Sequence, residues 1–198
     1  MLRCGWYGTD DNMRQAELVE RASRGDRDAF DLLITDAIDR LYAMARLIVR
    51  DADLAEDAVQ EALIHCWREL PRLRDRSRFD AWLHRLLVNA ATDQYRRRRR
   101  YTAAVALIPE SGVEADFAIG LAVADELHAA FERLRVEHRI VLVLYHYVGL
   151  SAPEIADVLG LPGGTVKSRL HYAAQAMRAA VDAGTRAPTT ASTSEAAR

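Results

Sequence analysis

The chain has 198 residues, which is enough for one domain or two small ones. Half of the residues are hydrophobic and 28% are charged, so the composition excludes an intrinsically disordered chain. The net charge is only −2, and any surface that attracts nucleic acid must therefore be local.

The cysteines and the hydropathy of the chain indicate where in the cell the protein is expected. Cys4 and Cys66 lie far apart and in no metal-binding spacing, so we expect neither a zinc site nor a disulfide. The longest apolar run, residues 140–144, is too short to span a bilayer, and the N-terminus has no signal-peptide core. We expect a cytoplasmic protein that does not insert into a membrane.

The first half of the chain repeats apolar residues at helical spacing and shows no strand pattern. After a loose segment over residues 1–11, a helix should run to about Ser23, and one long helix should run from Asp28 to Val49. Asp51 and Asp53 should open the next helix, with acids in its first turn as the helix dipole prefers. Pro71 ends that helix.

The helix after Asp51 has an acidic side opposite its apolar stripe. Periodicity alone favours a solvated face, and a docking face for a basic partner is the alternative. Its polar residues are Asp53, Glu56, Asp57, Gln60 and Glu61.

A basic loop over residues 72–78 precedes a further helix that starts near Phe79. Trp82 belongs to its apolar stripe and is expected in the core. The helix ends in five consecutive arginines, Arg96 to Arg100. A helix C-terminus attracts cations in any case, but five exceed that need, and arginines that neutralise phosphates add affinity for nucleic acid.

The second half begins with a change of composition. Residues 102–121 contain Pro109, Gly112 and several acids, which predicts an acidic, flexible linker. Residues 122–182 predict a second helical domain, with one helix over Val136–Tyr147. The tail, residues 183–198, is rich in Ala, Thr and Ser and is expected to be disordered.

A helix-turn-helix pattern covers residues 151–180. Gly160 ends a short helix, and Pro162 suits the first position of a second one. Between Gly163 and Arg178 there are basic residues and no acid. Such a pattern predicts DNA binding, and a two-helix packing unit with a solvated basic face is the alternative.

No catalytic constellation stands out. The six histidines are scattered, and none pairs with a carboxylate at metal-ligand spacing. We expect no catalytic residues, no metal, no cofactor and no small-molecule substrate.

Three segments together resemble a known family. The runs DADLAEDAVQEALIHCWREL, RFDAWLHRLLVNAATDQYRRRRR and EHRIVLVLYHYVGLSAPEIADVLGLPGGTVKSRL look like bacterial RNA polymerase sigma factors of the extracytoplasmic-function type. The resemblance implies an all-α fold with two small domains joined by a flexible linker. These are a sigma-2 helical bundle over residues 12–101 and a sigma-4 helix-turn-helix domain over residues 122–182.

The family's roles carry over by position. In such proteins the helix with the EDAVQE-type motif docks on core RNA polymerase, which implicates Asp57, Gln60 and Glu61. The loop before the WL motif and the helix after it open and read the −10 promoter element. A base flipped from the stack costs a few kcal/mol, which pocket contacts offset. The corresponding residues here are Leu73, Arg74, Asn89, Asp93 and Arg96.

The GTVKSRL segment is similar to the family's −35 reader in the major groove. Tyr172 departs from the arginine often found at its position. The resemblance also implies promoter DNA and an anti-sigma factor as partners, besides core polymerase. The residues that would face DNA are Thr165, Lys167, Ser168, Arg169 and His171.

Two other classes of protein compete with this interpretation. A helix-turn-helix repressor would bind duplex DNA by itself but would not need the acidic docking face. An enzyme acting on nucleic acid would need ligands or catalytic groups that the sequence does not show. A sigma factor accounts for the acidic face, the arginine run and the helix-turn-helix together.

Overall fold

A computed structural model describes residues 9–105 and 122–186, in which all regular structure is helical. The predicted all-α class is confirmed. Of the predicted loose segment, linker and tail, residues 1–8, 106–121 and 187–198 lie outside the described residues, whereas residues 9–11, 102–105 and 183–186 are helical. Among the described residues, no helix combines the length and the hydropathy that a membrane span requires. The α-helices are α1 (Thr9–Ser23), α2 (Arg27–Thr35), α3 (Ile38–Val49), α4 (Ala52–Glu69), α5 (Phe79–Val105), α6 (Ala122–Arg133), α7 (Val136–Leu142), α8 (Ala152–Leu159) and α9 (Gly163–Arg186).

Aspartates begin two helices of the first domain. The carboxylate of Asp26 accepts a hydrogen bond from the amide of Ala29, 3.0 Å away, and caps α2. Asp51 accepts from the amide of Leu54 at 3.0 Å and caps α4, at the helix start that the sequence predicted. Each cap satisfies an amide that has no partner within its helix.

The prediction of one long helix from Asp28 to Val49 is wrong, because the chain turns between α2 and α3. The hydroxyl of Thr35 donates to the Asp31 carbonyl at 2.7 Å, and the amide of Ala37 donates to the Ile34 carbonyl at 2.9 Å. These local bonds replace the regular ladder at residues of low helix propensity. Ala37 stays buried, so the apolar period continues through the turn and hides it.

Helix α5 is the central element of the first domain. It packs against α3 and α4, and its buried side includes Phe79, Leu83, Leu87 and Ala91. Trp82 is partly buried against the same core, as the sequence predicted. The other side of α5 is left free for solvent.

The second domain consists of α6 to α9. Ser151 and Glu154 form a reciprocal capping box at the start of α8, and Gly160 ends α8 in the left-handed conformation with φ of +62°. The predicted helix over Val136–Tyr147 is present, but its second half, Val143–Tyr147, is a π-helical turn.

The two domains pack against each other, which the sequence did not predict. One continuous set of buried apolar residues joins α3 and α5 of the first domain to α7, α8 and α9 of the second, and includes Leu41, Ile48, Leu144, Ile155 and Val166. Arg139 lies within this contact and is only 2% exposed. The described parts of the two domains therefore share one core.

His84 provides a test of the first domain's core. Its side chain is 2% exposed on α5, and burial lowers its pKa to about 4. The unfolded chain binds a proton at this histidine below about pH 6.5, whereas the folded chain does so only near pH 4. The free energy of unfolding should therefore fall by about 3 kcal/mol as the pH drops from about 6.5 to about 4.

Denaturant titrations across that pH range, in wild type and in a His84→Leu variant, measure this loss. The variant should lose most of the slope, while His65→Gln on the exposed side of α4 should retain it. Equal slopes in wild type and His84→Leu would contradict the assignment.

Candidate polymerase and nucleic-acid interfaces

Helix α4 presents two predicted docking residues to solvent. Asp57 and Gln60 are exposed, while the opposite side of the helix is buried. Glu61 differs, because it is only partly exposed and accepts hydrogen bonds from Gln94 at 3.0 Å and from Arg97 at 3.4 Å. Glu61 therefore ties α4 to α5, and Asp57 and Gln60 form the more available pair.

The loop between α4 and α5 is a structured turn. A 3-10 turn over Leu70–Arg72 follows α4, and Asp75 caps a second one over Arg76–Arg78. Leu73, between the two, is partly buried against the core, whereas Arg74 is exposed. Of the two loop residues expected at the −10 element, Arg74 is the one that solvent reaches freely.

The N-terminal helix α1 anchors this loop, which the sequence did not predict. Arg76 donates from one guanidinium nitrogen to the Ser23 hydroxyl at 3.1 Å and forms an ion pair with Glu20 at 2.5 Å. Gln15 donates to the Asp80 carboxylate at 2.6 Å. Burial raises the pKa of Asp80, and the Gln15 hydrogen bond opposes that rise. Helix α1 thus holds the loop and the start of α5 together.

The predicted −10 residues of α5 lie on one side of the helix. Asn89, Asp93 and Arg96 are all exposed, and their spacing of four and three residues places them in one row. The run Arg96–Arg100 continues as exposed positive charge, with Arg97 turned toward Glu61. The structure therefore brings amide, carboxylate and guanidinium groups together beside a basic strip.

Helix α9 presents the predicted −35 residues. It begins at Gly163, one residue after the predicted start, and the Pro162 carbonyl accepts the Thr165 amide at 2.9 Å. Val166 is fully buried and fixes the rotation of the helix. With Val166 inward, Lys167, Ser168 and His171 are exposed, whereas Thr165 and Arg169 are partly exposed.

Tyr172 lies beside these residues and is 58% exposed. Its ring stacks on that of His138, with 6.4 Å between centroids. Burial is the main cause that lowers the pKa of His138, and Arg135 and Arg169 lower it further. Tyr172 therefore packs against α7, a contact that the sequence gave no signal for.

Comparison with protein-family models finds two matches. The model described as sigma-70 region 2 matches residues 33–101, and the model described as sigma-70 region 4 matches residues 124–177. The first match covers α3, α4 and nearly all of α5, and the second covers the helix-turn-helix. Helix α1 lies outside both.

Named relatives agree with the family models. The RNA polymerase sigma-H factor of Pseudomonas aeruginosa is 34% identical over 174 residues, which cover 81% of this chain and 90% of that one. The extracytoplasmic-function sigma factor SigM of Mycobacterium tuberculosis is 34% identical over 82% of each chain.

Two solved structures share the fold. CnrH, in complex with the cytosolic domain of CnrY, is 30% identical with a TM-score of 0.62 and covers 86% of this chain and 98% of that one. The sigma factor RpoE of Bartonella quintana, in complex with the anti-sigma factor NepR, is 25% identical with a TM-score of 0.64 and covers 77% of this chain and 96% of that one. With both domains matched in order, the chain belongs to the extracytoplasmic-function RNA polymerase sigma factors, which direct core polymerase to promoters and start transcription there.

Proposed function

We propose that this sigma factor docks on core polymerase through Asp57 and Gln60 and reads its promoters with two separate helices. The observation that carries the proposal is the display of Asn89, Asp93 and Arg96 in one exposed row next to the arginine run. Polymerase supplies the chemistry, so the chain itself needs no catalytic group. Its place is the cytoplasm, where polymerase and the chromosome are.

The −10 element is read by α5 and the loop before it. The Asn89 amide offers both a donor and an acceptor to a base edge. Arg96 extends the same row with positive charge, Arg74 adds an exposed cation in the loop, and the remaining arginines hold the adjacent phosphates. Leu73 anchors the loop to the first domain, since it packs on the core rather than facing solvent.

The −35 element is read by α9. Lys167, Ser168 and His171 are the exposed members of the predicted set and would reach into the major groove. Arg169 and Thr165 lie at the edge of this helix face and would contact the DNA phosphate backbone. Gly163 and Gly164 are open, with nothing near the position of an added Cβ, which suits a helix start that approaches phosphates.

An anti-sigma factor is the third partner that we propose, because the solved structure of RpoE from Bartonella quintana is a complex with the anti-sigma factor NepR. A groove of about 400 Å³ runs along the domain boundary. Leu47 comes from the first domain and the other lining residues from the second, so a segment that fills the groove would hold the domains together. Its apolar lining is Leu47, Phe131, Leu142, Val143, Tyr147, Ala174 and Met177.

Run-off transcription tests the proposed function. The purified chain, mixed with core polymerase and a genomic DNA library, should start transcripts at a defined set of promoters. Without core polymerase it should bind the same promoter duplexes weakly. A chain that binds a specific duplex tightly by itself and never supports initiation is a repressor, and the proposal would then be wrong.

An Asn89→Ala variant tests the −10 assignment. Loss of one base contact worth about 1–3 kcal/mol should weaken discrimination between a correct and a substituted −10 element roughly tenfold. Affinity for core polymerase should not change. Gln175→Ala, an exposed amide on α9 without an assigned role, is the control. An equal loss of core binding in Asn89→Ala would argue against a base contact.

A Glu20→Gln variant tests the anchoring of the loop by α1. Partly exposed ion pairs contribute about 0.2–1 kcal/mol, so −10 discrimination should fall by a factor between about 1.4 and 5. Recognition of the −35 element should be unaffected. Glu17→Gln, an exposed carboxylate on the same helix, serves as the control. Unchanged −10 discrimination in Glu20→Gln would show that the anchor does not position the loop.

A further inference from the structure

The ends of two helices from different domains meet at the domain boundary. Helix α3 ends at Val49 in the first domain, and α6 ends at Arg133 in the second. The last carbonyls of a helix have no partner within it and carry partial negative charge. Two such ends at one buried place need donors, preferably cationic ones.

Arg139, on α7, satisfies both ends. Its Nε donates to the Ile48 carbonyl in the last turn of α3 at 2.9 Å, and one terminal nitrogen donates to the Leu134 carbonyl directly after α6 at 2.9 Å. Its guanidinium carbon lies 5.4 Å from the centre of the Tyr95 ring on α5. A single side chain thus binds α3 and α5 of one domain and the end of α6 in the other.

Arg50, in the first domain, likewise donates to a helix end in the second domain. It follows α3 in the left-handed conformation, with φ of +65°. From there it donates to the Glu132 carbonyl near the end of α6 at 3.0 Å and pairs with the Glu132 carboxylate. Both side chains are about one-third exposed, so this pair lies at the solvent-exposed edge of the contact between the domains. We call Arg139, Arg50, Glu132, Tyr95 and the Ile48 carbonyl the interdomain latch.

With its two domains packed together, the chain is too small to contact the −10 and −35 elements at the same time. A compact chain of this size is about 40 Å across. The −10 and −35 elements are about 25 base pairs apart, or roughly 85 Å of duplex at 3.4 Å per base pair. If α5 reads one element and α9 the other, as proposed above, the two domains must separate.

We infer that the interdomain latch holds the free sigma factor in a closed resting form, and that it breaks when core polymerase and promoter take up the chain. The need to open rests on the proposed function, whereas the closed resting form does not. The closed form brings α5 and α9 into one body, and the open form places each at its own element.

A charged latch suits a contact that must break. Burial of a guanidinium carries a desolvation penalty, and its bonds in the closed form offset that penalty. On opening, Arg139 can regain water and still reach Leu134, which belongs to its own domain. The net cost of opening is therefore lower than the number of contacts suggests. A leucine at the same position would leave the Ile48 carbonyl without a donor in the closed form.

Distance measurement between two spin labels tests the latch in the full-length chain. Labels on Asp53→Cys in α4 and Gln175→Cys in α9 report on the two domains from exposed positions, in a Cys4→Ser background. Cys66 is buried, and burial raises its pKa to about 12, so it should not take a label. The free wild-type chain should give one short, narrow distance, and addition of core polymerase and promoter should lengthen it.

Arg139→Gln should shift the free chain toward the open form by roughly tenfold to a hundredfold, which is the usual scale when a buried carbonyl such as that of Ile48 loses its donor. Arg50→Gln combined with Glu132→Gln should shift it only severalfold, because that pair is partly exposed. Arg133→Gln, an exposed arginine at the end of α6, is the matched control and should stay closed. Circular dichroism checks that each variant keeps its helical content.

Each outcome decides for or against the latch. A free wild-type chain with a broad, long distance would overturn the closed resting form. An Arg139→Gln variant that keeps its helical content and still gives the short distance would also overturn it. If Arg139→Gln loses helical content, Tyr95→Leu and the Arg50/Glu132 double variant decide, and a fraction of the open form no larger than in wild type in both overturns the latch.

The same experiment keeps the latch separate from the proposed function. A short distance retained in a promoter complex that transcribes would show that opening is not needed, although the chain is a working sigma factor. A chain that is closed when free but never supports run-off transcription would fail as a sigma factor and keep its latch.

Discussion

The packing of the two domains depends on one buried cation between two helix ends. Carbonyls near the ends of α3 and α6 converge on Arg139, and the apolar contact around it joins both domains into one core. A buried charge is tolerated only with bonds of good geometry, which makes the arrangement specific to one relative placement of the domains. For the same reason, a partner that moves one domain relative to the other breaks the hydrogen bonds that Arg139 makes between them.

Helix α5 connects this contact to the rest of the molecule. Its buried side forms the core of the first domain, Tyr95 faces Arg139, and its exposed side carries Asn89 and Arg96. A single helix therefore links the proposed −10 surface to the domain boundary. Helix α1 adds a second constraint on the same surface, because it binds both the loop before α5, at Arg76, and the first turn of α5, at Asp80.

Helical periodicity and resemblance to a family predicted much of the molecule, and the rest depends on contacts that no local pattern contains. The family resemblance pointed to Lys167 and His171 as DNA-facing residues of α9, and both are exposed there. The turn between α2 and α3 was missed because apolar spacing continues through it. The Arg76 anchor joins residues 53 apart in the chain and Arg139 reaches a carbonyl 91 residues away, and in both cases one partner is a hydroxyl or a backbone group that spacing cannot indicate.

The low net charge of the chain becomes understandable once the two domains are treated as a pair. A net charge of −2 and a few exposed basic side chains on α9 give little affinity for duplex DNA. Two modest surfaces can still select a promoter when polymerase holds both near DNA, because the second contact is then made at high effective concentration. In the closed form that advantage is lost, since the two surfaces cannot reach their elements together. Control over domain separation is therefore control over promoter binding, even where each DNA-binding surface stays exposed.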